Sequence, residues 1–213
     1  GADSNASGNY SQASGDGAFA SGDYSQASGY QANANGTYAS ASGYQANASG
    51  NSSTAIGLKA KAVGTSSTSL GDNANASACY STALGFNASA LATSATALGD
   101  TAKASGENSL ALGRFTNASK KSAVAIGNSA NASGFESIAV GRESLATANQ
   151  ATALGERAVA SADEATAVGR RATANALFST AIGSEAKASG TYSLASGTSA
   201  KASGDYSQAS GYQ

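Results

Sequence analysis

Small and large residues alternate along this chain in a fourteen-residue frame that repeats without insertion or deletion. With Ser11 taken as position 1, units begin at Ser25, Ala39, Ser53 and onward to Ser207. Position 5 is glycine at every occurrence from Gly1 to Gly211, and position 10 is alanine at every occurrence from Ala6 to Ala202. Position 3 is alanine except at Ser69, and position 8 is nearly always alanine. A unit this short cannot hold a helical hairpin repeat, which needs roughly 30 residues or more. The spacing of the small residues, at 3 and 5 and again at 8, 10 and 12, has the period of a strand. It predicts two strands of about five residues per coil, joined by two tight turns. Residues two apart in a strand share a face, so alanine and glycine are expected to line the coil interior. Successive coils then pair as parallel strands, and the fold class is an all-β solenoid.

Position 4 breaks the small-residue rule. It reads Ile56, Leu70, Leu84, Leu98, Leu112, Ile126, Val140, Leu154, Val168 and Ile182 in ten successive coils. Its parity puts it opposite the alanine-lined interior, so one stack of coils presents a continuous aliphatic ridge to solvent. Burial of each such side chain contributes about 1.5–3 kcal/mol as an upper bound, and a ridge of this length calls for a covering surface. Because ridge and repeat are both regular, self-association about a shared long axis is the simplest cover. The residues alone are compatible with two copies or with three.

Charge tests the frame independently. Of the 25 charged residues, 24 lie at positions 6, 7, 9, 13 and 14, and only Lys120, at position 12, departs. Two turns and one outward strand site therefore face water. Aromatics make up 7% of the chain, and Pro, Met, Trp and His are absent, so no ordinary globular core can be filled. Such a composition otherwise marks flexible linkers, but a linker has no reason to hold a register over 213 residues. Net charge is −1, which removes the electrostatic case for nucleic acid as partner. No apolar run is long enough for direct membrane insertion, and Cys79, the only cysteine, rules out an intrachain disulfide framework.

Catalytic chemistry has little to work with. There is no histidine for a triad or a zinc site, and Cys79 has no titratable base beside it in sequence. Asp163 and Glu164 fall on a turn and read as solubility carboxylates. The expectation is no enzyme, no cofactor and no metal. Position 6 runs Arg142, Glu156, Arg170 and position 7 runs Glu143, Arg157, Arg171, Glu185, so stacked coils should pair opposite charges. Tyr10, Tyr24 and Tyr38 recur at position 14, as do Tyr192 and Tyr206, and are expected to stack. Tyr30, Tyr44 and Tyr212, at position 6, fall on a turn and are the candidate ligand contacts, since a tyrosine offers an apolar face and a polar tip.

The strings Ser53-Thr-Ala-Ile-Gly-Leu-Lys-Ala-Lys-Ala-Val-Gly and Ser109-Leu-Ala-Leu-Gly resemble the head repeats of YadA-type trimeric autotransporter adhesins. The stretch from Asn108 to Gly113 is similar to that family's Asn-Ser-Val-Ala-Ile-Gly motif. The resemblance covers essentially the whole chain. It implies a left-handed parallel β-roll assembled as a homotrimer, with the ten aliphatic residues of position 4 at the trimer axis. It also implies display on a bacterial cell surface, anchored to the outer membrane through regions outside this chain. The implied partners are a second and third copy of the chain, extracellular matrix, other cells or abiotic surfaces. One β-roll is expected over 1–213, with a polar axis in coils 1–52 and 193–213 and an aliphatic axis in 53–192. In the polar part, serines (Ser14, Ser28, Ser42, Ser196 and Ser210) replace the aliphatic residue.

The segment from Ala20 to Gln31 recurs without change from Ala202 to Gln213, thirteen coils further along the chain. That recurrence is expected of a piece of a longer fibre with a super-repeat. Two functions are compatible with these observations. One is an adhesin head that mediates attachment; the alternative is a purely structural filament segment with binding located elsewhere.

Overall fold

The computed structural model describes residues 1–212. Gln213, the last residue of the second copy of the recurring string, lies outside the described residues. The chain forms two compact units, Gly1–Asn108 and a second beginning at Ser109, built on the same plan. Each coil contributes a three-residue strand at positions 2–4 and a two-residue strand at positions 9–10. Thr54–Ile56 and Lys61–Ala62 form such a pair in the first unit, and Val124–Ile126 and Asn131–Ala132 one in the second. Within each unit the three-residue strands make one parallel sheet and the two-residue strands another. Partners lie one repeat apart, as in Thr68↔Thr82 and Leu70↔Leu84, or Leu145↔Val159 and Ala146↔Ala160. No helix occurs among the described residues.

The strands are shorter than the five residues expected, because the turns take more of each coil. One turn spans positions 5–8 and the other runs from position 12 to position 1 of the next unit. Both are closed by a backbone bond from the fourth residue to the first: Ala60 N to Gly57 O at 3.4 Å, Ser67 N to Gly64 O at 3.2 Å. The third residue of each is left-handed, with φ of 54° at Lys59 and 53° at Ser66. Left-handed backbone costs a non-glycine residue roughly 1–2 kcal/mol. Here the same geometry lets each such N–H reach the coil before it, Lys59 N to Tyr44 O and Ser66 N to Asn51 O, both at 2.8 Å. The turns therefore continue the hydrogen-bonded ladder between the strands.

The interior is alanine, as the alternation implies. Ala55, Ala60 and Ala62 are fully buried, and the largest fully buried side chain is Thr116. One methyl group contributes under about 1 kcal/mol on burial, so the ladder of backbone bonds carries much of the order. Two inward assignments need correction. Position 1 also points inward, with Ser53, Ser67 and Ser81 fully buried. Position 5 is a turn residue and not a wall of the core. Its φ is +129° at Gly57, and a Cβ added there would lie 2.6 Å from the carbonyl oxygen of Gly71. Glycine is required at that position by conformation and by close backbone approach together.

Several buried hydroxyls at positions 1 and 8 bond to the carbonyl that opens their own turn. Ser81 Oγ donates to Ala78 O at 2.6 Å and Ser137 Oγ to Gly134 O at 2.7 Å. Thr116 Oγ1 donates to Gly113 O at 3.0 Å and Ser144 Oγ to Gly141 O at 2.9 Å. Positions 1 and 8 thus play one role, as do 3 and 10, 5 and 12, and 7 and 14. Each coil is two seven-residue halves facing one another. What distinguishes the halves is position 4, aliphatic in ten coils, against position 11, mostly serine.

Candidate functional site

Position 4 lies on the outer face of the three-residue-strand sheet. In the first unit Ile56, Leu70, Leu84 and Leu98 form an in-register row; in the second the row is Leu112, Ile126, Val140, Leu154, Val168 and Ile182. Residues above and below cover part of each side chain, yet Ile56 remains 42% exposed, Leu84 39% and Ile182 45%. The gain left for an incoming surface is therefore about 1 kcal/mol per side chain, below the full burial value. Ser28 and Ser42 continue the row toward the N-terminus of the first unit, and Ser196 and Ser210 toward the end of the second.

The turns carry aromatic stacks. Tyr10, Tyr24 and Tyr38 have ring centroids 5.1 and 5.0 Å apart with planes within 10°. Phe178 heads the second stack, 4.7 Å from Tyr192, which lies 5.3 Å from Tyr206. Tyr30 and Tyr44 stack at 5.1 Å on the position 6 turn and are 42% and 47% exposed. Tyr212, the third candidate contact, is exposed and joins no ring stack among the described residues.

Opposite charges pair between coils in the second unit. Arg157 Nε meets Glu143 at 2.6 Å, and Arg142 is bonded to Glu156. Glu185 takes Arg170 at 3.0 Å and Arg171 at 3.6 Å, so the position 6 row switches there to a diagonal partner. The hydrogen bond from Arg157 holds the Glu143 carboxyl below the usual glutamate range, and Arg142 does the same for Glu156. A carboxyl whose pKa is depressed by folding stabilises the fold above its unfolded pKa, and that stabilisation is lost as the pH falls through the folded value. Glu143→Gln/Glu156→Gln is therefore expected to melt slightly below the parent chain at neutral pH and together with it in acid. Thermal melts followed by circular dichroism at both pH values check this; a gap that persists in acid would mean the pairs act through packing.

Turn carboxylates have a second use that the sequence reading missed. Asp163 Oδ1 accepts the backbone N–H of Asn149 at 2.9 Å, Asp205 that of Thr191 at 2.8 Å, and Asp23 that of Asn9 at 2.8 Å. Each satisfies a turn N–H in the coil before its own. Asp163 is thus a cap between coils, beyond the solubility role expected of it. No group of three His, Cys, Asp or Glu among the described residues is placed to hold a metal ion.

Family comparison bears on the same coils. The family model for the YadA head domain repeat (2 copies) matches residues 13–32, 20–43, 34–60, 62–88, 90–116, 118–144, 132–158, 146–172, 160–186 and 188–213. Among solved structures the chain is similar to the collagen-binding domain of the Yersinia adhesin YadA, with 23% identity. That similarity covers 85% of this chain and 70% of the other, at a TM-score of 0.31. Comparison with curated proteins gives no match. With its repeats matched from residue 13 to residue 213, the chain belongs to the YadA head domain repeat family.

Proposed function

We propose that this chain is one protomer of a homotrimeric, left-handed β-roll that serves as an adhesin head segment on a bacterial surface. The aliphatic row of position 4 carries the reading. In each unit it runs in register along one outer face, and among the described residues its side chains are covered only in part and stay open to an incoming surface. Three such faces turned to a common axis bury all the rows at once and leave the two-residue-strand sheets outward. Membership of the YadA head family supports display outside the outer membrane, and the relative named for collagen binding supports attachment to extracellular matrix. In this assembly coils 53–192 have an aliphatic axis, and coils 1–52 and 193–213 a polar one.

Light scattering on the purified chain is expected to give the mass of three 20.4-kDa protomers, and beads carrying it are expected to adhere to matrix-coated surfaces. A monomer would remove the physical basis of the reading. A trimer without adhesion would leave the second reading, a structural filament segment, which the recurrence of Ala20–Gln31 at 202–213 favours.

A further inference from the structure

A groove runs along the first unit beside the Tyr30–Tyr44 stack, on the side away from the aliphatic row. Its lining includes Gln45, Lys59, Lys61, Asn73, Asn75 and Asn87. The coil explains the placement. Positions 7 and 9 flank the buried residue at position 8, here Ala60, so Lys59 and Lys61 both project outward from one coil. Tyr30, Tyr44 and Leu58 follow one another at position 6, beside the position 7 edge of the groove and outside its lining; Leu58 is 40% exposed, and Asp72 is next in that row. Amides are already ordered at its near end: Gln45 Nε2 donates to Gln31 Oε1 at 2.8 Å, and Gln31 Nε2 to the Tyr30 hydroxyl at 3.3 Å. Unlike the arginines of the second unit, neither lysine is engaged in an ion pair among the described residues.

We infer that this groove binds a carboxylate-bearing oligosaccharide. The inference rests on the attachment reading above and names the chemistry of one ligand. A pyranose has an apolar C–H face, which suits the exposed Tyr44 and Leu58 at the edge of the groove. Its hydroxyls both donate and accept, as do the side-chain amides of Gln45, Asn73, Asn75 and Asn87. A negatively charged sugar unit meets the two lysines of a single coil in charge-assisted hydrogen bonds. Coils repeat about every 4.8 Å along the axis, close to the length of one sugar unit in an extended chain, so successive units meet successive coils. Two lysines on one coil match one carboxylate and fall short of the cation density a heavily sulfated chain demands. The run of amides favours a saccharide over an acidic peptide.

The test is calorimetric titration of the whole chain with three probes. These are a hexasaccharide alternating uronate and N-acetylhexosamine, a neutral glucose hexasaccharide, and a hexaglutamate peptide. The acidic saccharide is expected to bind about tenfold more tightly than the neutral one, the share a charge-assisted hydrogen bond supplies. Lys59→Gln/Lys61→Gln should bring acidic binding down to the neutral level, and Tyr44→Ala should weaken both saccharides. Lys187→Gln/Lys201→Gln, at position 9 of the second unit, should change nothing. Equal affinity for the two saccharides overturns the inference, as does a peptide bound as tightly as the acidic saccharide. So does an equal loss in the second-unit control, or no binding at all. Mass and bead adhesion measured on the same proteins separate the two readings. A trimer that adheres equally with and without the two lysines, and does not bind the acidic saccharide, removes the groove and leaves attachment standing. A parent chain that is monomeric and non-adherent removes the attachment reading whatever the titration gives.

Discussion

Gly141→Ala is expected to unstack the second unit around its own coil and to cost at least about 3 kcal/mol of stability. Two effects add. At φ +131° Gly141 occupies backbone space that L side chains rarely enter, and a Cβ there would sit 2.4 Å from the oxygen of Gly155 and 2.6 Å from its carbonyl carbon. Relief requires the next coil to move away, which breaks the bond from Gly155 N to Val140 O at 2.8 Å and the ladder beside it. Each repeat contacts only its neighbours, so the damage is local before it is global. Gly134→Ala provides the contrast. Its added Cβ would approach Ala148 O to 1.8 Å, a harder contact, but its φ lies outside the positive range and six other coils already carry Ala or Lys at position 12. Urea denaturation followed by circular dichroism should therefore place Gly134→Ala well above Gly141→Ala. Equal losses would mean that the contact, and not the backbone conformation, fixes glycine at position 5.

Leu112→Asp is expected to convert the proposed trimer to monomers. Leu112 is half-buried on the outer face and pairs in register with Ile126. In the proposed assembly the substitution puts three carboxylates at one level of an apolar axis. A buried, unpaired charge costs several kcal/mol, more than the roughly 1 kcal/mol each aliphatic contact contributes there. Light scattering should then report one chain in place of three. Ser133→Asp, at position 11 beside the opposite sheet, should leave the mass unchanged. A trimer with unaltered melting after Leu112→Asp would show that the wrong face has been placed at the axis.

Much of this protein is legible in its sequence because a solenoid converts sequence period directly into spatial repetition. The invariance of position 10, the alternation around it and the gathering of all charges but Lys120 at five positions are enough to derive the coil, its alanine interior and the outward aliphatic row. Parity alone decides which face Leu70 or Leu84 occupies, and no long-range information is needed. The ion pairs of Glu143 and Glu156 follow equally from reading each row one repeat at a time.

Only the tertiary structure decided what depends on the sign of φ and on contacts along the axis. Side-chain chemistry does not announce that Lys59 and Tyr24 are both left-handed, since neither type favours that region. They adopt it because the turn N–H then bonds to the preceding coil, as Tyr24 N does to Asn9 O at 2.8 Å. From the turns follow the shorter strands, the inward serines at position 1 and the hidden seven-residue symmetry of the coil. The capping role of Asp163 likewise belongs to stacking, because its partner is the N–H of Asn149, one coil earlier. Lys59 and Lys61 were visible as charges in permitted positions. Their placement in one groove beside Tyr44 appeared only when the turn had set positions 7 and 9 on either side of a buried alanine.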